Sequence, residues 1–151
     1  MNKKLEGVDS QKNFKKGDCA IERQIGPINL QNNVRYAGAS GDFNPIHFDH
    51  DMARSLGFPG VFVMGMLPGA ILGEFAKDWL SPLIIKYLKF RFTDKIWPQE
   101  MLTLGGEIVK DHSSSTPLVE ADLWMKTSDG LIKIMASCTA FYPDSIDKKY
   151  P

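Results

Sequence analysis

The chain has 151 residues, and its 18 Lys plus Arg against 18 Asp plus Glu give a formal net charge of zero. That length predicts one domain, and the balanced charge excludes nucleic acid or an anionic membrane as a ligand held by bulk positive charge. At 43% hydrophobic and 11% aromatic residues, the composition excludes a disordered or fibrous chain.

Residues 1–16 are polar, with five lysines against two acids and no sustained period. They are expected to form a flexible arm ahead of a single domain over residues 17–151. The arm lacks the apolar core of a secretory leader, and the most apolar stretch, Gly60 to Ile71, is too short and too rich in glycine to cross a bilayer. Cys19 and Cys138 have no metal-ligand spacing, which favours a reducing compartment. A cytoplasmic protein is the resulting expectation.

Cys19 to Leu30 carries Ile21, Ile25 and Ile28 around Gly26-Pro27, a pattern that predicts a short, bent edge strand. Asn33 to Ala39 reads as one or two helical turns, capped by Asn32 or Asn33 and stopped at Gly41. Asp49 caps a short helix to Leu56, closed by Gly57. A longer helix is predicted over Met66 to Leu80, with Pro68 in the first turn, where a missing N–H costs nothing, and Pro82 just past the end. Its apolar side chains occupy nearly the whole circumference, so another layer must surround it.

After Leu83 the period becomes two. Leu88, Phe90 and Phe92 alternate with Lys89, Arg91 and Thr93, and Leu102, Leu104 and Ile108 repeat the pattern, with Gly105-Gly106 read as a bulge or bend. Asp111 to Pro117 reads as a loop. Ala121, Leu123 and Met125 mark the next strand, and a hairpin at Ser128-Asp129-Gly130 leads into the last, with Ile132, Ile134, Ala136, Cys138 and Ala140 inward. Four or five antiparallel strands with one apolar face, plus one helix apolar almost all round, predict an α+β hot-dog fold in which a curved sheet wraps the long central helix. The strands are too few to close a barrel, so the free edges predict a homodimer or higher homo-oligomer, with a related subunit as the other possible partner.

The chemistry concentrates between Tyr36 and His47. Gly41, Asp42, Asn44 and Pro45 are turn formers, and a looped chain can bring Asp42 and His47 to one point, whereas an extended strand would hold them about 16 Å apart. A carboxylate and an imidazole can hold one water between them for general acid–base work. From spacing alone the same residues better suit a plain Asx turn with a loop histidine. Gly65 precedes the long helix, where backbone N–H groups lack intrahelical partners. Either it serves close packing, or it lets a carbonyl approach an oxyanion-binding amide, an interaction worth on the order of 3 kcal/mol of barrier. Phe62, Met64, Met66 and Leu67 are candidates to line a pocket for a flexible apolar ligand, and are just as well plain core. His50 with Asp49 and Asp51 lacks metal-site spacing, and acids at a helix start are ordinary caps, so no metal is expected. Lys86, Lys89, Arg91 and Lys95 form either a phosphate-facing or a solvated face.

Ser40-Gly41-Asp42-Phe43-Asn44-Pro45-Ile46-His47, with Ala53, Gly57-Phe58 and Val61 to Leu67 after it, resembles the signature of the MaoC-like, R-specific enoyl-CoA hydratases. That resemblance implies Asp42 and His47 as a catalytic dyad, Asn44 as an orienting neighbour and the Gly65 amide as oxyanion donor. It further implies reversible hydration of a trans-2-enoyl-CoA or acyl-carrier-protein thioester, with no cofactor beyond the coenzyme A or phosphopantetheine of the substrate. A thioesterase of the same fold and a non-catalytic acyl-binding subunit are the alternatives. Met64 stands where a more polar residue is frequent in the family, and Gln99-Glu100 where a Gly-Asp turn often opens the next strand, a change expected to affect only a loop.

Overall fold

The structure, a computed structural model, describes residues 13–111 and 118–142. Of the expected loop at Asp111 to Pro117, Asp111 ends a strand and residues 112–117 lie outside the described residues, as does most of the expected arm. Phe14, assigned to the arm, is buried within the core cluster and stacks edge-on against Trp79 at 6.0 Å.

The elements run β1 (Arg23–Ile25), α1 (Leu30–Ser40), a single 3-10 turn (Pro45–His47), α2 (His50–Ser55), α3 (Met66–Leu80), β2 (Ile84–Phe92), β3 (Leu102–Asp111), β4 (Leu118–Thr127) and β5 (Ile132–Phe141). All pairs are antiparallel, in the spatial order β1-β3-β4-β5-β2. The α3 helix packs against β2, β3, β4 and β5, so the five-stranded sheet wraps one helix in the hot-dog arrangement. Register shifts at Ile108/Lys110, Ile85/Tyr87 and Met125/Lys126 add the local twist that lets the sheet curve.

Core formation follows the alternation. Leu102, Leu104 and Ile108 of β3, Ala121, Leu123 and Met125 of β4, and Ile134, Ala136 and Cys138 of β5 meet Leu72, Phe75, Ala76 and Leu80 of α3. Ile132, expected inward, is exposed, because the inward alternation begins only at Ile134. The helix is also less enclosed than its composition suggests. Met66 and Ala70 are exposed and Ile71 is half-buried, because the sheet covers only one side of its N-terminal half.

Two local expectations change. The first helix starts a turn earlier than expected, because Asn29 and Asn32 form a reciprocal capping box, each side chain accepting from the other's backbone N–H at 3.0 and 3.2 Å. Gly41 ends it in the left-handed region at φ 74°, where a Cβ would be strained. Gly105 and Gly106 do not form a bulge; they pair in regular register with Trp124 and Leu123. They are glycines because a Cβ at Gly105 would lie 2.5 Å from the Trp124 ring, and one at Gly106 would lie 2.7 Å from Trp79.

Candidate active site

Beyond Gly41 the backbone turns on its own side chains. Asn44 N–H donates to Asp42 Oδ1 at 3.2 Å and Ile46 N–H to Asn44 Oδ1 at 3.3 Å, two successive Asx turns. Pro45, with no N–H to lose, opens the 3-10 turn that ends at His47. Asp42 and Asn44 are exposed, and His47 is buried. Among the described residues no hydrogen bond or ion pair joins Asp42 to His47.

Among the described residues, each of the two nevertheless has one side-chain polar atom committed to the protein and one uncommitted. Asp42 uses Oδ1 for the turn and leaves Oδ2. His47 Nδ1 lies 3.0 Å from the Phe62 carbonyl oxygen, which only accepts, so Nδ1 donates there, and in the neutral ring Nε2 is the nitrogen that keeps a lone pair. The ring meets Phe62 edge-on at 4.8 Å, and Phe62 in turn packs against Phe58 at 5.0 Å and Trp97 at 6.0 Å. The Lys95 ammonium lies over Phe58 and Phe62, 5.2 and 5.8 Å from their ring centres.

Gly65 precedes α3 and has no side-chain cap to satisfy the helix start. Val63 N–H donates to Ile96 O, Met64 N–H to Asn33 Oδ1 and Leu67 N–H to Met64 O, whereas the exposed Gly65 N–H has no acceptor among the described residues. It lines a cavity of about 310 Å³ with Phe62, Pro68, Phe92, Ile96 and Ile134. Of the other candidates, Met64 is buried away from this cavity, Met66 is half-exposed on α3, and Leu67 packs against the core. Asp49 accepts from Asp51 and Met52 N–H as the α2 cap, and Asp51 pairs with Arg54.

Two residues escaped the sequence reading. Asn33, expected as a cap, is inside α1, fully buried, and hydrogen-bonded to His47, Phe62 and Met64. Its signal was a poor helix former one turn before the buried Ala37. Lys133 is buried under the connection from β2 to β3, with its ammonium 2.8 Å from Asp94, 3.2 Å from Glu100 and 2.9 Å from the Lys95 carbonyl. Burial opposes its charge, but Asp94 and Glu100 outweigh that and hold its pKa above the usual lysine value. Glu100, which also accepts from Trp97 N–H, is therefore part of an ionic clasp that includes Asp94 of the cavity wall, and more than a loop variation.

A curved antiparallel sheet wrapped around one long helix, with a histidine anchored to the segment that enters that helix, defines a hot-dog protein. The MaoC-like domain matches residues 16–124, and the chain belongs to the MaoC-like dehydratase family. It is 25% identical over 142 residues, 93% of this chain and 84% of its relative, to a mitochondrial 3-hydroxyacyl-[acyl-carrier-protein] dehydratase of Arabidopsis thaliana. An (R)-hydratase from A. caviae involved in PHA biosynthesis superposes with a TM-score of 0.78 at 18% identity, covering 88% of this chain and all 100% of that one. The ChsH1-ChsH2 complex from Mycobacterium tuberculosis gives 0.75 at 20% identity, with 86% and 99% covered. Among the described residues no helix is long and apolar enough to cross a membrane.

Proposed function

We propose that this chain interconverts a trans-2-enoyl thioester and water with the (R)-3-hydroxyacyl thioester. The observation that carries the reading is that one stretch, Phe62 to Gly65, supplies both the carbonyl that anchors His47 and an uncommitted amide on the wall of a cavity lined by apolar side chains together with Thr93, Asp94 and Lys95. In hydration, water oxygen bonds to C3 and gives up a proton to a base, the C2–C3 π bond breaks with its electrons moving toward the thioester carbonyl, and C2 then takes a proton, leaving a single bond. Asp42 Oδ2 and His47 Nε2 hold the water and share the two proton transfers, with Asn44 keeping the Asp42 turn in shape. Negative charge developing on the thioester oxygen is met by the Gly65 N–H at the positive end of α3. The cavity, bounded by Phe62 and Phe92, takes the acyl chain, and Met64, Met66 and Leu67 shape the segment beside it. Coenzyme A or phosphopantetheine enters with the substrate, and no separate cofactor is assigned a step.

A second copy of the chain or a related subunit is the proposed partner, since β1 and β2 leave the sheet with two open edges. The proposed location is cytoplasmic.

The test is an assay with crotonyl-CoA and a longer trans-2-enoyl-CoA. Loss of enoyl absorbance with an (R)-3-hydroxyacyl product is expected. Release of free thiol would identify a thioesterase, and binding with neither product an acyl-binding subunit.

A further inference from the structure

We infer that Asn33 is a positioning residue for His47 and for the Phe62–Gly65 stretch, a role that rests on the reading of those groups given above. The Asn33 side chain is completely buried and donates both amide hydrogens, to His47 O at 2.8 Å and to Phe62 O at 3.0 Å, while its Oδ1 accepts from Met64 N–H at 3.2 Å. The opposite amide orientation would set its oxygen against two carbonyl oxygens, so the network fixes which atom is nitrogen.

One side chain thus joins α1 to two other pieces of chain. It holds the main chain of His47, and it holds the carbonyl that receives His47 Nδ1. It also holds the amide one residue before Gly65. Phe62 O accepts from both Asn33 and His47, which fills its two lone pairs and fixes its direction. With the carbonyl fixed, Nδ1 stays protonated and Nε2 stays the proton acceptor. Acid–base groups act only within a narrow range of positions, about 0.5 Å, so a looser hub costs turnover more than substrate affinity. A purely structural asparagine would instead lower stability and leave the folded enzyme's histidine unchanged.

The test compares the full chain with Asn33→Ala and with the near-isosteric Asn33→Asp, which retains an acceptor for Met64 but loses the paired donors. Nitrogen-15 NMR of the imidazoles reads the tautomer directly. The chain has three histidines, so the His47 signal is assigned by its loss in His47→Gln. The wild type is expected as the Nδ1–H tautomer. Both variants are expected to gain the Nε2–H form and to lose about 10- to 100-fold in kcat on crotonyl-CoA, with KM changed less than about threefold. An Nε2–H tautomer in the wild type, a folded variant with the wild-type tautomer or near-normal kcat, or failure of both variants to fold would overturn the positioning role. A wild-type chain that hydrates no enoyl thioester would instead overturn the functional reading, and the tautomers would still decide the role of Asn33.

Discussion

His47 Nδ1 and the carbonyl oxygen of Phe62 lie 3.0 Å apart, across 15 residues of sequence that include α2. That contact joins the product of a Pro-initiated turn to the entry of the central helix. It commits Nδ1 of the imidazole to the fold and leaves Nε2 without a hydrogen-bond partner among the described residues. Three residues beyond Phe62, the Gly65 amide is similarly uncommitted.

Gly65 separates stability from activity. Its backbone is right-handed at φ −54°, and an added Cβ would meet the Phe92 ring at 3.7 Å, an ordinary contact. Gly65→Ala is therefore expected to fold with stability within about 0.5 kcal/mol of wild type by urea denaturation. The methyl would stand where the thioester must approach, and kcat/KM for enoyl thioester is expected to fall about 100-fold, as a displacement near 1 Å does. A fully active variant would remove the amide from the mechanism.

The clasp around Lys133 predicts a pH-dependent stability. Its side chain is 2% exposed, whereas Asp94 and Glu100 are 42% and 25% exposed and keep contact with water. Lys133→Met is thus expected to cost about 1–2 kcal/mol, less than a fully buried broken pair, and to lower Tm by about 2–8 °C. The Lys133 ammonium, then the Lys95 backbone, hold the Asp94 carboxyl below its usual 3.8. A depressed native pKa gives stability that is present above 3.8 and lost as pH falls through the native value. The difference in Tm between wild type and Lys133→Met should therefore shrink below about pH 4. A constant difference from neutral to strongly acid pH would contradict the clasp.

Inward-facing β5 can be checked with thiol chemistry. Burial pushes the Cys138 thiol up to about 11, and Cys19 is exposed. At pH 8, iodoacetamide with mass spectrometry should find Cys19 alkylated in the native protein and Cys138 only after unfolding in guanidinium. Rapid native labelling of Cys138 would show that β5 faces the other way.

Long periodic segments were legible because one physical rule dominated each. The bounds of α3 agree with its pattern of apolar residues and flanking prolines, and inward β3 and β4 residues follow simple alternation. What could not be read depended on other parts of the chain. Lys133 went unread because only the tertiary path of Thr93 to Glu100 covers its side of β5 and buries it. Gly105 and Gly106 read as a bend because a local rule cannot see the rings of Trp124 and Trp79. In the motif, the turn chemistry of Asp42 and Asn44 was legible as one of two readings. The tie from His47 through Asn33 to Met64 needed the folded chain.

Everything in the proposed chemistry converges on Asp42 and His47, and their substitution tests it most directly. Asp42→Asn keeps an oxygen for the Asn44 N–H, and His47→Gln replaces a side chain that makes one hydrogen bond, at a cost of about 1 kcal/mol. Steady-state hydration of crotonyl-CoA by the two folded variants is the measurement. The expected result is a loss of about 100- to 10,000-fold in kcat for each. Turnover within a few-fold of wild type in either variant would contradict a shared acid–base role for the pair.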